Sequence, residues 1–70
     1  MLYTVEYTGA TESDHEAFAK FSSDYGIETI DRNDSTWVFR VTDEIEKRDG
    51  AAIYDFLESR PCVDTYYCEE

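Results

Sequence analysis

Cys62, Cys68 and His15 are the residues of this chain with the readiest covalent or metal chemistry, and their spacing argues against both uses. A thiol nucleophile needs a base beside it and a lowered pKa. His15 stands among Glu12, Asp14 and Glu16, far along the chain from either cysteine, and reads as a solvated side chain. A structural zinc takes four ligands at short recognised spacings, which two cysteines and one distant histidine do not supply. No metal and no cofactor is expected. If the last segment is a strand, six residues at roughly 3.3 Å each put Cys62 and Cys68 about 20 Å apart, beyond the reach of a disulfide. Two free thiols are expected, in a reducing compartment.

Oxygen ligands crowd into Asp31-Arg32-Asn33-Asp34-Ser35 as they do at the start of a calcium loop. Thr36 stands where such a loop requires a glycine for its sharp turn, and Thr42 where it requires a bidentate glutamate, so the segment reads as a hairpin turn. Carboxylates are otherwise abundant: 17 Asp and Glu against 6 Lys and Arg in 70 residues leave a net charge of −11. A solvated surface usually carries a magnitude of roughly 2–8, so the excess costs self-repulsion. It argues against direct binding to nucleic acid or to an anionic membrane, both of which recruit Lys and Arg. With so many acids and no cleft signal, no pair is singled out as general acid and base, and the chain is not read as an enzyme.

The elements that position these groups follow from periodicity. The chain, read as one domain over residues 1–70, is organised around Thr36–Thr42, where Trp37, Phe39 and Val41 alternate with Val38, Arg40 and Thr42. β-branched and aromatic residues at period two make a strand with one buried face. Residues 1–8 alternate in the same way through Tyr3, Val5 and Tyr7. Ser13 and Glu16 have capping-box spacing, and Ala17, Phe18, Phe21 and Tyr25 share a helical face that Gly26 ends, which predicts a helix over 13–25. Residues 27–31 predict a short edge strand, joined to 36–42 as an antiparallel hairpin. A second helix ends at Ser59 ahead of Pro61. Its apolar face from Ile45 to Leu57 predicts a start near residue 44, and Asp49-Gly50 a start near 50. A last strand covers 62–68, with Val63, Thr65 and Tyr67 on one face.

The order β-α-β-β-α-β is that of an α+β, ferredoxin-like domain: a four-stranded antiparallel sheet with both helices on one face. Strands one and three are expected at its centre. The expected core is Tyr3, Val5, Ala17, Phe18, Phe21, Tyr25, Trp37, Phe39, Val41, Ile53, Phe56, Leu57 and Val63. The open face is expected to carry Leu2, Thr4, Glu6, Val38, Arg40, Thr42, Asp64 and Tyr66. RNA-binding sheets of this topology need aromatics where Val38 and Arg40 stand.

Ten of the 17 acids accompany the two helices. Glu12, Asp14 and Glu16 at the first helix, and Asp43, Glu44, Glu46, Asp49, Asp55 and Glu58 at the second, are the candidate partner-binding residues. Such a surface offers spaced carboxylates to a basic groove. In size, charge and simplicity the chain resembles, as a class, the small acidic inhibitors made by bacterial viruses, DNA mimics and anti-CRISPR proteins among them. That resemblance rests on no sequence motif. It implies a protein of the host cytoplasm that occupies the basic surface of a nucleic-acid-binding partner and blocks it. The competing expectation is a ferredoxin-like module that dimerises or binds a small ligand through its open sheet face, with the acidity serving solubility.

Overall fold

The computed structural model describes residues 1–69. The chain runs β1 (Leu2–Tyr7), α1 (Glu12–Tyr25), β2 (Glu28–Arg32), β3 (Thr36–Arg40), α2 (Asp43–Ser59) and β4 (Val63–Glu69). All neighbouring strands are antiparallel, in the order β2-β3-β1-β4. This is the ferredoxin-like arrangement, with β1 and β3 central and β2 at an edge. Period-two alternation turns Tyr3, Val5, Tyr7, Trp37 and Phe39 to one face, where each is buried. Tyr3 pairs with Phe39 and Val5 with Trp37, so the two central strands place their aromatics side by side.

Both helices cover that face. Phe18 of α1 stacks on Trp37 at 4.9 Å, and Phe21 stacks on Phe56 of α2 at 4.1 Å. Ile53 and Leu57 complete the cluster from α2. Val5, Phe18, Phe39, Ile53 and Leu57 are fully buried, and each contributes roughly 1.5–3 kcal/mol by leaving water. Tyr25, Phe56 and Val63 are only partly buried against this core, while Tyr7 and Ile27 join it fully. Ala17 is half-buried and lies outside the cluster. The Trp37 indole N–H donates to Thr29 Oγ1 at 3.2 Å, which satisfies its one polar atom.

Two local expectations are corrected, and the choice between two starts for the second helix is decided for the one near residue 44. The N-cap of α1 is Thr11, not Ser13: Asp14 N–H donates to Thr11 Oγ1 at 3.3 Å, and Thr11 N–H donates to Asp14 Oδ2 at 2.9 Å. An aspartate here fills the role expected of Glu16, and Ser13 lies inside the first turn. The second helix begins at Asp43, capped by Thr42, whose Oγ1 accepts from Ile45 N–H at 3.1 Å. It runs straight through Gly50. Finally, β4 has the opposite facing from Thr65 onward to the one its alternation predicted, while Val63 packs on the core as expected. Tyr66 pairs with the buried Val5 and packs on the helical side, whereas Tyr67 is exposed on the open face. A bulge between Glu6 and Tyr7 shifts the register, and this lets Val63 lie on the same side as Tyr66 despite the odd spacing.

The β2–β3 turn is closed by Asn33, whose Oδ1 accepts from the N–H groups of Ser35 and Thr36, each at 2.9 Å. That oxygen is occupied by an Asx turn, in keeping with a hairpin reading of Asp31–Ser35.

Candidate functional site

Helix α1 presents Glu12 and Glu16 one turn apart to solvent, and the first turn of α2 presents Asp43 and Glu44. Acids suit both places, because unpaired N–H groups give a helix start its positive end. Asp55 is exposed further along α2. Among the described residues, Glu12, Glu16, Asp43, Glu44 and Asp55 make no side-chain hydrogen bond or ion pair. These five are the free carboxylates of the helical layer.

The other four candidates are engaged within the domain, three of them across segments and Asp49 with its chain neighbour. Asp14 completes the α1 cap and faces Arg60 at 3.9 Å; the Thr11 backbone N–H, the Thr11 hydroxyl and the Arg60 charge hold its carboxyl below the usual range. Glu46 accepts from the Tyr3 hydroxyl at 2.6 Å, and Glu58 accepts from the Tyr66 hydroxyl at 2.6 Å. The bond to Glu58, more than partial burial, pushes the Tyr66 phenol up to about 12. Asp49 pairs with Arg48 at 2.8 Å. Helical spacing alone does not separate these acids from the free ones. For Glu46, Glu58 and Asp14 the role depends on which hydroxyl of the sheet, or which guanidinium at the end of α2, the fold brings opposite them.

Cations are largely consumed in the same way. Of the 6 Lys and Arg, Lys20 pairs with Asp24 at 3.0 Å and Arg40 with Glu28 at 3.2 Å, besides Arg48 and Arg60. The negative charge is therefore left uncompensated outside these pairs. It is not confined to the helices: Glu6, Glu28 and Asp31 pair with or oppose open-face residues of the central strands, and Glu69 opposes Leu2.

Sequence reasoning missed one cleft, an open depression of about 380 Å³ lined by Thr8, Gly9, Asp14, Arg60, Pro61 and Cys62. Arg60 lies across its wall, with Cζ 5.7 Å from the Phe56 ring centroid and a buried Nε that donates no hydrogen bond. No periodicity could have found it, because it joins the start of α1 to the residues after α2. Its thiol is poorly suited to attack: burial, and then the charge of Asp14, push Cys62 up from its ordinary pKa. His15 is not the solvated side chain expected. It is half-buried, with its ring edge-on to Tyr7 at 5.8 Å and to Phe18 at 5.9 Å. Cys62 and Cys68 are free thiols. Among the described residues, no three of His, Cys, Asp and Glu gather as metal ligands, and no helix is long and apolar enough to cross a membrane.

Fold and surface together define a ferredoxin-like α+β domain with an uncompensated acidic exterior. No family model matches the chain, and neither a curated protein nor a solved structure shows significant similarity to it.

Proposed function

We propose that this domain binds a basic surface of a nucleic-acid-binding protein in the cytoplasm and blocks that surface. One observation carries the reading: Glu12, Glu16, Asp43, Glu44 and Asp55 remain exposed and unpaired in the helical layer while four of the 6 cations are spent on internal pairs. Duplex DNA presents one charge per roughly 1.7 Å of axis, and a folded domain studded with carboxylates competes for the same Lys and Arg. The carboxylates sit on helices, so docking orders their side chains but not the backbone that carries them.

Dimerisation through the open face is the weaker reading. Leu2, Thr4 and Val38 are half-buried there, and Glu6, Glu28 and Glu69 accompany them. A second copy would bring like charges together.

The test is capture with the domain as bait at low salt, followed by competition between the domain and duplex DNA for each protein recovered. The reading requires that the domain displace DNA, that added salt weaken its binding, and that charge reversal of Glu12, Glu16 and Glu44 weaken it more than reversal of Glu6 and Glu69. A partner that holds DNA and the domain together, or whose binding ignores both salt and reversal, overturns it.

A further inference from the structure

The two edges of the sheet are unlike. The β2 edge is exposed along its whole length, interrupted by a bulge between Thr29 and Asp31, and carries charges of both signs in Glu28, Asp31 and Arg32. These are devices that discourage a further strand. From Thr65 to Glu69 the β4 edge has no bulge and a single charge, that of Glu69 at its end, and its pairing with β1 is continuous. Its residues, Thr, Tyr, Tyr and Cys, are good strand formers, and Pro, Lys and Arg are absent from Val63–Glu69.

The backbone groups that this edge offers can be assigned. Met1 N donates to Val41 O at 2.7 Å and Val41 N to Met1 O at 2.9 Å, so Met1 and Val41 are a hydrogen-bonded pair. Alternation then turns the backbones of Tyr3, Val5 and Tyr7 toward β3, and Tyr7 N–H indeed donates to Ser35 O at 3.0 Å. Leu2, Thr4 and Glu6 turn toward β4, where they meet Glu69, Tyr67 and Thr65. The N–H and C=O groups of Tyr66 and Cys68 are therefore directed out of the sheet.

Side chains on both faces of this edge add to it. Tyr54, Tyr67 and Ile30 are the exposed large hydrophobic residues, and two of these three flank β4: Tyr54 reaches Cys68 Sγ at 3.7 Å on the helical side, and Tyr67 stands on the open side. Glu58, Asp64 and Glu69 supply negative charge alongside. A second copy paired through β4 would set these acids against their equivalents under a net charge of −11 on each chain. A strand bearing Lys or Arg meets the opposite situation, laying its aliphatic stems over Tyr54 and Tyr67 and its cationic heads toward the acids.

We propose that the free edge of β4 docks an extended, lysine- or arginine-bearing segment of a partner protein, which adds as a fifth strand through the Tyr66 and Cys68 backbone. This rests on the reading that the partner is basic, and adds the element by which it is gripped.

The test uses isotope-labelled protein and an acetylated heptapeptide of alternating Lys and Val. A second peptide of the same sequence carries N-methyl groups on two adjacent central residues, which blocks both of its edges without changing charge. The expected result is slowed amide hydrogen exchange at Tyr66 and Cys68 with the first peptide, and binding weaker by about tenfold or more with the second, the effect of losing one or two net hydrogen bonds. Equal binding of both peptides, shifts confined to α1 and α2, no binding at all, or a dimer of the free protein joined through β4 each overturns the proposal. Equal, salt-sensitive binding leaves the acidic-surface reading standing and removes only the strand addition. Loss of the acidic-surface reading shows separately, as a DNA-binding partner that charge reversal does not release.

Discussion

The Tyr3 hydroxyl donates to the Glu46 carboxylate at 2.6 Å, tying the middle of the sheet to α2. An acid that helical spacing places on a charged surface is thereby a structural group, and reversing it tests folding before it tests binding. Burial first, and then the bond to Glu46, raise the Tyr3 phenol far above its ordinary range. A folded pKa raised above the unfolded value of about 10 gives stability that is complete below pH ~10 and lost as pH rises beyond it. Alkaline titration should therefore show Tyr3 ionising only as helical ellipticity falls. Tyr3→Phe should remove that part of the transition and cost about 1 kcal/mol in denaturant unfolding at neutral pH. Phenolate absorbance from all six tyrosines while ellipticity is intact would refute it.

Gly50 lies directly beneath the Glu46 carboxylate. A Cβ added at Gly50 would meet Glu46 Oε1 at 3.1 Å, while the same carboxylate is held by Tyr3. Alanine in a helix interior is otherwise favoured over glycine by about 1 kcal/mol. Gly50→Ala should be near neutral in the natural background and stabilising by about 1 kcal/mol beside Glu46→Ala, a coupling that a double-mutant cycle by urea melts reads directly. Equal effects in the two backgrounds would separate Gly50 from Glu46.

The α1 cap distinguishes two residues that look interchangeable in sequence. Thr11→Ala should cost about 1 kcal/mol, whereas Ser13→Ala should change stability by no more than about 0.5 kcal/mol. Asp14 has a folded pKa below its unfolded one, so its contribution is present above pH ~4 and disappears as pH falls through the lowered value. Thermal melts of Asp14→Asn against the natural chain should converge at the acid end and separate at neutral pH.

Phe18 is fully buried and stacks on Trp37. Phe18→Ala should cost about 3–5 kcal/mol, enough to unfold a domain of this size at modest temperature. Trp37 fluorescence in the natural chain should resist acrylamide, and in the variant should become quenchable and red-shifted. Ready quenching in the natural chain would mean that the indole is not where the stacking places it.

Much of this architecture was legible in the sequence because it depends on local periodicity. Trp37, Phe39 and Val41 at period two, and Phe18, Phe21 and Tyr25 at helical spacing, each define one apolar face, and burying two helical faces and one sheet face together leaves few arrangements. Pro61 ended α2 for a reason that acts within a turn. The facing of β4 was not legible, since its apolar and aromatic residues occupy both parities: Val63, Tyr66, Tyr67 and Cys68. Pairing with β1 and a bulge at Glu6/Tyr7 decided it, and so decided which tyrosine meets α2 and which meets solvent. The candidate surface divided in the same way. Composition and charge put ten acids at the helices, nine of them candidates, by local rules, whereas contacts between distant segments selected among them: Tyr3, Tyr66 and Arg60 engaged Glu46, Glu58 and Asp14. A carboxylate's role depends on what stands within about 3–4 Å of it, and for groups far apart in the chain only the tertiary fold sets that distance.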